Sequence, residues 1–236
     1  MVPRLAEHLS LARRAQLRRI GALPLARRLD WLAGWYGTDK GPSVHGYTVH
    51  YQRHLEARRR EPLTILEIGV GGENTNTGGV SLRMWRSFFP AATIIGVDIH
   101  KKRLPPEERI TIVQGDQGDP AFLADLEKRF GPFDVVIDDG SHRGEHIISS
   151  FEALWPQVKA RGLYVIEDLE TAYDRAYGGG PPDTPSTAMA LLKHLLDDVQ
   201  LTGQVNVHVY HGVAFIEKVT PPTPRPSFAN PFANPS

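Results

Sequence analysis

Two pairs of adjacent acidic residues each follow a short apolar run in this sequence. Asp138-Asp139 follows residues 133–137, and Glu167-Asp168 follows residues 162–166. If both runs are neighbouring strands of a parallel sheet, their carboxyl ends meet at one edge and up to four carboxylates converge there. Clustered carboxylates repel and raise each other's pKa, and a divalent cation relieves that repulsion. Because the ligands are oxygens and the chain has no cysteine, we expect a hard ion, Mg²⁺ before Mn²⁺ or Ca²⁺.

The two members of the first pair are expected to differ in role. We expect Asp139, Glu167 and Asp168 to bind the ion and Asp138 to be structural. For a single Asp-Asp-Gly sequence the alternative is a polar turn, in which Asp138 caps the turn and Asp139 accepts hydrogen bonds from backbone amides. The second acidic pair, at the end of the next strand, favours the metal site over this alternative.

Apolar segments of strand and helix length alternate through the chain, as a parallel sheet covered on both faces requires. The predicted strands are residues 62–70, 92–98, 109–114, 133–138 and 162–167, followed by 204–210 and 213–219. The predicted helices are residues 80–90, 120–130, 145–159 and 186–198. Only two residues join the last two strands, so these form a hairpin and one of them runs antiparallel. The predicted class is α/β: a Rossmann-like, doubly wound, mostly parallel seven-stranded sheet with a C-terminal antiparallel hairpin.

A glycine-rich turn follows the first predicted strand. It reads Glu67-Ile-Gly-Val-Gly-Gly72, and the second strand ends at Asp98. Glycines allow close backbone approach to a ligand, and an acid at the end of the second strand holds ribose hydroxyls in such sheets. A dinucleotide fingerprint fits poorly, because residues 73–79 separate the turn from the next helix. Glu67 repels a pyrophosphate but suits a cationic ligand such as S-adenosylmethionine (SAM), which carries a sulfonium and an amino group.

Several short motifs follow one another in a fixed order. They are Tyr36-Gly-Thr-Asp-Lys40, Leu66-Glu-Ile-Gly-Val-Gly-Gly72, Gly78-Gly-Val-Ser-Leu-Arg-Met-Trp85, Ile95-Gly-Val-Asp-Ile99, Gln114-Gly-Asp-Gln117, Val136-Ile-Asp-Asp-Gly-Ser-His142 and Glu167-Asp168. Together they resemble the class I SAM-dependent methyltransferases. More narrowly, they resemble the metal-dependent sugar O-methyltransferases of antibiotic biosynthesis, the mycinamicin and rhamnosyl-tetracenomycin type. The likeness covers about residues 35–220.

The resemblance implies SAM and Mg²⁺ as cofactors, with Mn²⁺ as the alternative ion. The implied SAM-binding residues lie at the strand ends and in the first motif: Thr38, Lys40, Glu67, Gly69, Gly71, Asp98, Asp116 and Gln117. Among them, Asp98 holds the ribose, Asp116 and Gln117 lie near the adenine, and Thr38 and Lys40 contact the SAM carboxylate. For residues 37–40 a helix cap and turn is the alternative.

The implied reaction is methyl transfer to a hydroxyl of a small molecule, expected to be a sugar of a glycosylated natural product. A sugar hydroxyl is a poor nucleophile, and a bound cation makes it lose its proton more readily. His142, three residues after Asp139, is the expected base, since a histidine titrates near neutral pH. Three alternatives stay open: a metal-dependent methyltransferase of a catechol or other diol, a non-catalytic SAM-binding protein, and a nicotinamide-dependent oxidoreductase.

Composition narrows the expected partners and location. Lys and Arg total 27 and Asp and Glu total 27, so the chain lacks the bulk positive charge that attracts nucleic acid. No apolar run reaches the length of a membrane span. The absence of cysteine fits a reducing compartment. We therefore expect a cytoplasmic protein with no nucleic-acid or membrane partner.

Both ends of the chain differ in composition from its middle. Residues 1–34 are interpreted as a basic helical segment, residues 35–220 as the methyltransferase domain and residues 221–236 as a proline-rich tail. The basic segment has leucines at loosely helical spacing, which predicts packing on the domain or on a second subunit. We also expect a homo-oligomer. A membrane or nucleic-acid arm and a transit peptide are the alternatives. The tail is expected to be extended or disordered.

Overall fold

The computed structural model describes residues 27–72 and 76–219. The predictions for the chain before residue 27 and for the tail lie outside these residues. The described chain begins with two helices, α1 (Leu29–Tyr36) and α2 (Thr48–Leu55). Helix α1 crosses residue 34, the predicted boundary of the N-terminal segment, and its buried side chains belong to the same hydrophobic core as the sheet.

Seven strands form one sheet in the order β3-β2-β1-β4-β5-β7-β6. They are β1 (Thr64–Ile68), β2 (Thr93–Asp98), β3 (Ile110–Gln114), β4 (Phe133–Asp138), β5 (Val158–Ile166), β6 (Val205–Tyr210) and β7 (Val213–Lys218). Strands β1 to β5 pair in parallel, whereas β7 pairs antiparallel with both β5 and β6. The predicted fold class, including its C-terminal antiparallel hairpin, is confirmed.

Four further helices connect the strands, and one of them, predicted to reach residue 159, already ends at Leu154. They are α3 (Val80–Phe88), α4 (Pro120–Phe130), α5 (Gly144–Leu154) and α6 (Ala188–Leu201). The prediction of a helix over residues 145–159 is wrong at its end, because a short 3-10 turn follows Leu154 and β5 already begins at Val158. Pro156 lies in that turn and has no backbone N–H to continue a helix. Within the described ranges, no helix is long and apolar enough to cross a membrane.

The side chains of the central strands alternate between two hydrophobic layers. In β1, Ile65 packs in one layer and Leu66 in the other, and Val135 and Val136 of β4 divide in the same way. This period of two, with both faces apolar, is what a covered parallel sheet requires. Helices α1 to α3 cover the first face and α4 to α6 cover the second.

The carboxyl ends of β1, β4 and β5 lie side by side. Ile68 is level with Asp138 in the pairing of β1 and β4, and Asp138 is level with Ile166 in the pairing of β4 and β5. Backbone hydrogen bonds continue past the strands, from Asp139 N to Ile68 O at 2.9 Å and from Glu167 N to Asp138 O at 3.0 Å. The two acidic pairs are therefore at the ends of neighbouring strands, as predicted, and we call this edge of the sheet the rim.

Candidate active site

Asp138 and Asp139 are adjacent in the chain, yet their partners lie on opposite faces of the sheet. Asp138 is buried and accepts hydrogen bonds from three neutral donors, Gln117 Nε2 at 2.6 Å, Ser150 Oγ at 2.6 Å and Tyr164 OH at 3.0 Å. Burial raises the pKa of Asp138, and these hydrogen bonds oppose the rise without cancelling it. Both of its carboxylate oxygens have protein partners, an arrangement that suits the structural role expected from the sequence.

Asp139 lies at the rim together with His142 and Asp168. Each of the three offers one ligand atom, and these atoms all lie within 4.8 Å of one another. His142 Nε2 is 3.6 Å from Asp168 Oδ2. The side chain of Asp139 is 23% exposed and those of His142 and Asp168 are each 21% exposed, so solvent reaches the group. Two carboxylates and an imidazole at this spacing form a donor set that fits a divalent ion.

Glu167, the third predicted metal ligand, lies below the rim in a second group of side chains. Its Oε1 accepts a hydrogen bond of 2.5 Å from Tyr51 OH, and its Oε2 accepts one of 2.6 Å from Lys40 Nζ. The same ammonium is 2.5 Å from Asp139 Oδ2 and 3.3 Å from Glu67 Oε1. The structure therefore brings Asp139 and Asp168 together directly and links Glu167 to Asp139 through the ammonium of Lys40.

Charge in this second group is only partly balanced. Lys40, Glu67 and Glu167 are each at most 2% exposed. Burial lowers the pKa of Lys40, but the carboxylates of Asp139, Glu167 and Glu67 outweigh burial and hold this pKa well above its usual value. Burial raises the pKa of Glu67 to about 7 in spite of the ammonium, and it also raises the pKa of Glu167 and of Asp139. One cation among three carboxylates leaves a region that favours additional positive charge.

Two residues of the rim have strained backbones. His142 has a φ of 56° and Asp168 a φ of 52°, in the left-handed region that residues other than glycine rarely adopt. Each such residue costs on the order of 1–3 kcal/mol, and strain of this kind clusters at functional sites. Thr171 Oγ1 donates to Asp168 O at 2.7 Å and lies 3.3 Å from His142 O. A single hydroxyl therefore links the backbones of both strained residues.

The predicted glycine turn and Asp98 lie side by side next to the rim, where sheets of this kind bind their ligands, and we call this region the crevice. Gly69 has a φ of 94°, and a Cβ atom there would lie 1.9 Å from Asp139 O, so only glycine fits. Gly71 is also left-handed, with a φ of 70°. At the end of β2, one oxygen of Asp98 lies 3.3 Å from Val70 N, which joins the end of β2 to the turn. The crevice thus combines close backbone access with a carboxylate, as the sequence predicted.

The other predicted SAM-binding residues lie on both sides of this crevice. Asp116 is exposed in the turn after β3, where its Oδ1 accepts a hydrogen bond from Gly118 N at 2.8 Å. The amide of Gln117 is buried and accepts from Ser141 N at 2.9 Å while donating to Asp138. Thr38 is buried, and its hydroxyl donates to Asp39 Oδ1 at 3.3 Å. The ammonium of Lys40 contacts the carboxylates of Asp139, Glu167 and Glu67 described above.

Sequence reasoning missed the tyrosines that hold the acids in place. Tyr51 belongs to α2 and donates to Glu167, and Tyr47, just before α2, donates to Asp168 Oδ1 at 2.8 Å. These partners are 116 and 121 residues apart in the chain, so no local pattern connects them. The available signal is the spacing of the two tyrosines, since residues four apart share one face of a helix.

Known proteins are similar to this chain in both sequence and fold. No model of a protein family matches the chain. The demethylmacrocin O-methyltransferase of Streptomyces fradiae is 47% identical over 208 residues, which are 80% of this chain and 53% of that protein. The mycinamicin VI 2''-O-methyltransferase of Micromonospora griseorubida is 45% identical over 208 residues, or 80% of this chain and 52% of that protein. The chain spans about half the length of the curated relatives it matches.

A solved structure supports the same assignment. The MycE methyltransferase from the mycinamycin biosynthetic pathway, in complex with Mg, SAH and mycinamycin VI, matches with a TM-score of 0.80 at 45% identity. The match covers 85% of this chain and 57% of that one. Fold and crevice together define a class I SAM-dependent methyltransferase domain. Relatives that are 39–47% identical to the chain are sugar O-methyltransferases of the macrolide and tetracenomycin pathways, which confirms the resemblance seen in the sequence.

Proposed function

We propose that this protein is a SAM- and Mg²⁺-dependent O-methyltransferase that methylates a hydroxyl of a small molecule, a sugar of a glycosylated natural product in antibiotic biosynthesis. The observation that carries the proposal is the group formed by Asp139, His142 and Asp168 at the rim, next to the glycine turn after β1. Two carboxylates that can bind a metal, with a candidate base beside them, lie at the same sheet edge as the cofactor turn, so the acceptor hydroxyl and the methyl donor can meet there.

The crevice residues would each serve a different part of SAM. Asp98 would accept hydrogen bonds from the ribose hydroxyls, and Gly69 would let the cofactor approach the backbone where a side chain would collide. Gly71 would shape the same turn, with Glu67 beneath it near the methionine part. Asp116 and Gln117 would lie on the adenine side, and Thr38 and Lys40 would serve the SAM carboxylate. Contact between Lys40 and that carboxylate requires the ammonium to leave its present partners.

The cation would be held by Asp139, Glu167 and Asp168. Two of these carboxylates already offer ligand atoms within 4.8 Å of each other and of His142, and the third shares an ammonium with Asp139 at 2.5 and 2.6 Å. An all-oxygen set of this charge suits Mg²⁺, and Mn²⁺ as the alternative. When bound, the ion supplies Lewis-acid activation that makes an acceptor hydroxyl more acidic.

His142 would be the general base. Its Nε2 lies 3.6 Å from Asp168 Oδ2 at the rim, and an imidazole nitrogen is the most common proton acceptor in general base catalysis. The proton of the acceptor hydroxyl would move to Nε2 as the oxygen attacks the methyl carbon. SAM, when bound, would supply the methyl group, and its sulfonium would leave as a neutral thioether. The left-handed backbone of His142, linked through Thr171 to Asp168, fixes the position of the ring.

The acceptor class is inferred from the named relatives. They act on demethylmacrocin and on mycinamicin VI, and we extend a glycosylated acceptor of this kind to the present chain. A catechol or other non-sugar diol is the second candidate, because the same carboxylate set suits any ligand with adjacent hydroxyls. A cytoplasmic location, a homo-oligomer and the lack of nucleic-acid and membrane partners stay predictions.

A panel assay tests the proposal. The full chain is incubated with SAM, Mg²⁺ and a set of glycosylated metabolites, with simple catechols as a parallel set, and products are detected by mass. One added methyl on a glycoside is the expected result. Methylation of catechols alone would replace the sugar assignment, whereas tight SAM binding without transfer to any diol would mean a non-catalytic SAM-binding protein.

A further inference from the structure

Lys40 occupies an unusual position for a lysine, because its ammonium is buried and surrounded by carboxylates. The side chain is 1% exposed. Its Nζ lies 2.5 Å from Asp139 Oδ2, 2.6 Å from Glu167 Oε2 and 3.3 Å from Glu67 Oε1. A lysine placed only for packing would keep its ammonium in water, since burial of an unpaired charge is costly.

The backbone on either side holds Lys40 in place. Lys40 O accepts a hydrogen bond of 3.0 Å from Thr48 N, the first residue of α2. Gly37, with a φ of 75°, ends α1 and turns the chain toward the rim. The lysine is therefore tethered at both ends, by its backbone to the start of α2 and by its ammonium to the acids at the ends of β4 and β5.

Two of the oxygens that contact the ammonium belong to residues assigned to the metal. A divalent ion bound by Asp139 and Glu167 would stand next to the Lys40 ammonium, and two cations at that distance repel strongly in a buried site. The carboxylates therefore favour one cation or the other. This step rests on the proposed function, in that it takes Asp139 and Glu167 as metal ligands.

We propose that Lys40 is a tethered cation that competes with the divalent ion for Asp139 and Glu167. In the metal-free protein the ammonium neutralises part of the acidic group and keeps the carboxylates in place. Binding of the divalent ion displaces the ammonium, so the affinity for metal is lower than the carboxylates alone would give. Lys40 is thus a positioning residue that sets metal affinity, and its release frees a positive charge next to the SAM crevice.

Metal binding by variants tests this inference without using activity. Titration calorimetry with MnCl₂, in the absence of SAM, compares the wild type with Lys40→Met and with Lys159→Met. Lys159 is the matched control, because its ammonium pairs with Asp134 Oδ2 at 2.7 Å away from the rim. We expect Lys40→Met to bind Mn²⁺ about tenfold more tightly or better, since a nearby like charge is removed, and Lys159→Met to bind as the wild type does.

Thermal unfolding provides a second measurement. The metal-free Lys40→Met protein should melt at a lower temperature than the wild type, because Asp139 and the buried carboxylates of Glu67 and Glu167 lose their cation. Mn²⁺ should raise the Tm of the variant by more than it raises that of the wild type. If Lys40→Met folds only when Mn²⁺ is present during expression, the ion has replaced the ammonium, as the inference requires. Failure to fold with and without Mn²⁺ would contradict it.

The remaining outcomes separate the inference from the proposed function. If the wild type binds Mn²⁺ and Lys40→Met binds it equally or more weakly, Lys40 does not compete with the ion and this inference is wrong while the metal site stands. If neither protein binds Mn²⁺ or Mg²⁺, the metal assignment in the proposed function fails, and the inference fails with it.

Discussion

Asp138 and Asp139 are adjacent in the chain, but each belongs to a different group of side chains, and the protein stabilises the two groups by different means. In the first, Asp138 accepts hydrogen bonds from Gln117, Ser150 and Tyr164, all of them neutral. In the second, the ammonium of Lys40 lies between Asp139, Glu167 and Glu67. We refer to these as the Asp138 group and the Lys40 group.

The difference indicates which group keeps its hydrogen-bond partners and which group can exchange its cation. Ser150 on α5 and Tyr164 on β5 donate to one oxygen of Asp138, and Gln117, in the turn after β3, donates to the other, so neutral donors satisfy both oxygens and leave no role for an ion. A single ammonium shared by several carboxylates leaves negative charge in excess, and a second cation with more charge can take its place. The Asp138 group thus supports the rim from below, and the Lys40 group belongs to the site itself.

The largest expected effect is that of removing the Asp139 carboxylate, which lies at the rim and also contacts the Lys40 ammonium. Asp139→Ala should reduce methyl transfer to the rate seen in EDTA, because the metal loses its central ligand. Affinity for Mn²⁺ should fall while affinity for SAM is kept, as measured by calorimetry. A variant that retains Mg²⁺-dependent transfer would show that Asp139 is no more functional than Asp138.

Replacing the base should have the next largest effect. His142→Ala should lower kcat by about 100- to 10 000-fold, the range that general base catalysis contributes. Its affinities for SAM and Mn²⁺ should stay near those of the wild type. An unchanged kcat would remove the role of base from His142, and a lost Mn²⁺ affinity would make it a ligand instead.

The substitution Asp138→Asn tests the Asp138 group. An amide in place of the carboxylate puts an NH2 donor where a carboxylate oxygen accepts hydrogen bonds, so donors face each other in a buried site, which costs about 1–3 kcal/mol of unfolding free energy. Denaturant titration measures the loss. Mn²⁺ affinity should be retained, and a decrease as large as that of Asp139→Ala would contradict the distinction between the two groups.

The smallest expected effect concerns pH. The pKa of Glu67 is raised from an ordinary 4.5 to about 7, so between these values the folded state binds the proton more tightly than the unfolded state does. The unfolding free energy of the metal-free protein should therefore fall as pH rises from about 4.5 to about 7. Glu67→Gln should make this fall shallower, and an identical pH profile of stability for both proteins would contradict the assignment.

The sequence predicted the fold well where the signal is local. Alternating apolar segments located every strand of the sheet, and the two residues between β6 and β7 required the antiparallel hairpin. The error at the end of α5 is also local, because apolar residues continue past Leu154 while Pro156 stops the helix. Helix α2, with its largely polar sequence, was not predicted at all.

The site was less predictable, because its contacts join distant parts of the chain. Residues at strand ends, such as Asp98, Asp139 and Asp168, could be located from the topology of the sheet. The position of the Lys40 ammonium could not, since its partner Glu167 is 127 residues away. Glu167 was predicted to lie with Asp139 and Asp168 at the rim, and nothing in the sequence indicates that its carboxylate contacts Lys40 and Tyr51 instead.

The most direct test of the account is the metal dependence of methyl transfer. With SAM and a glycoside acceptor identified in the panel, transfer by the wild type is measured with Mg²⁺, after EDTA, and after Mn²⁺ is added back. We expect loss of methyl transfer in EDTA and recovery with either ion. Full transfer in EDTA would contradict the proposed metal dependence, because methyl transfer would then proceed without an ion at the rim.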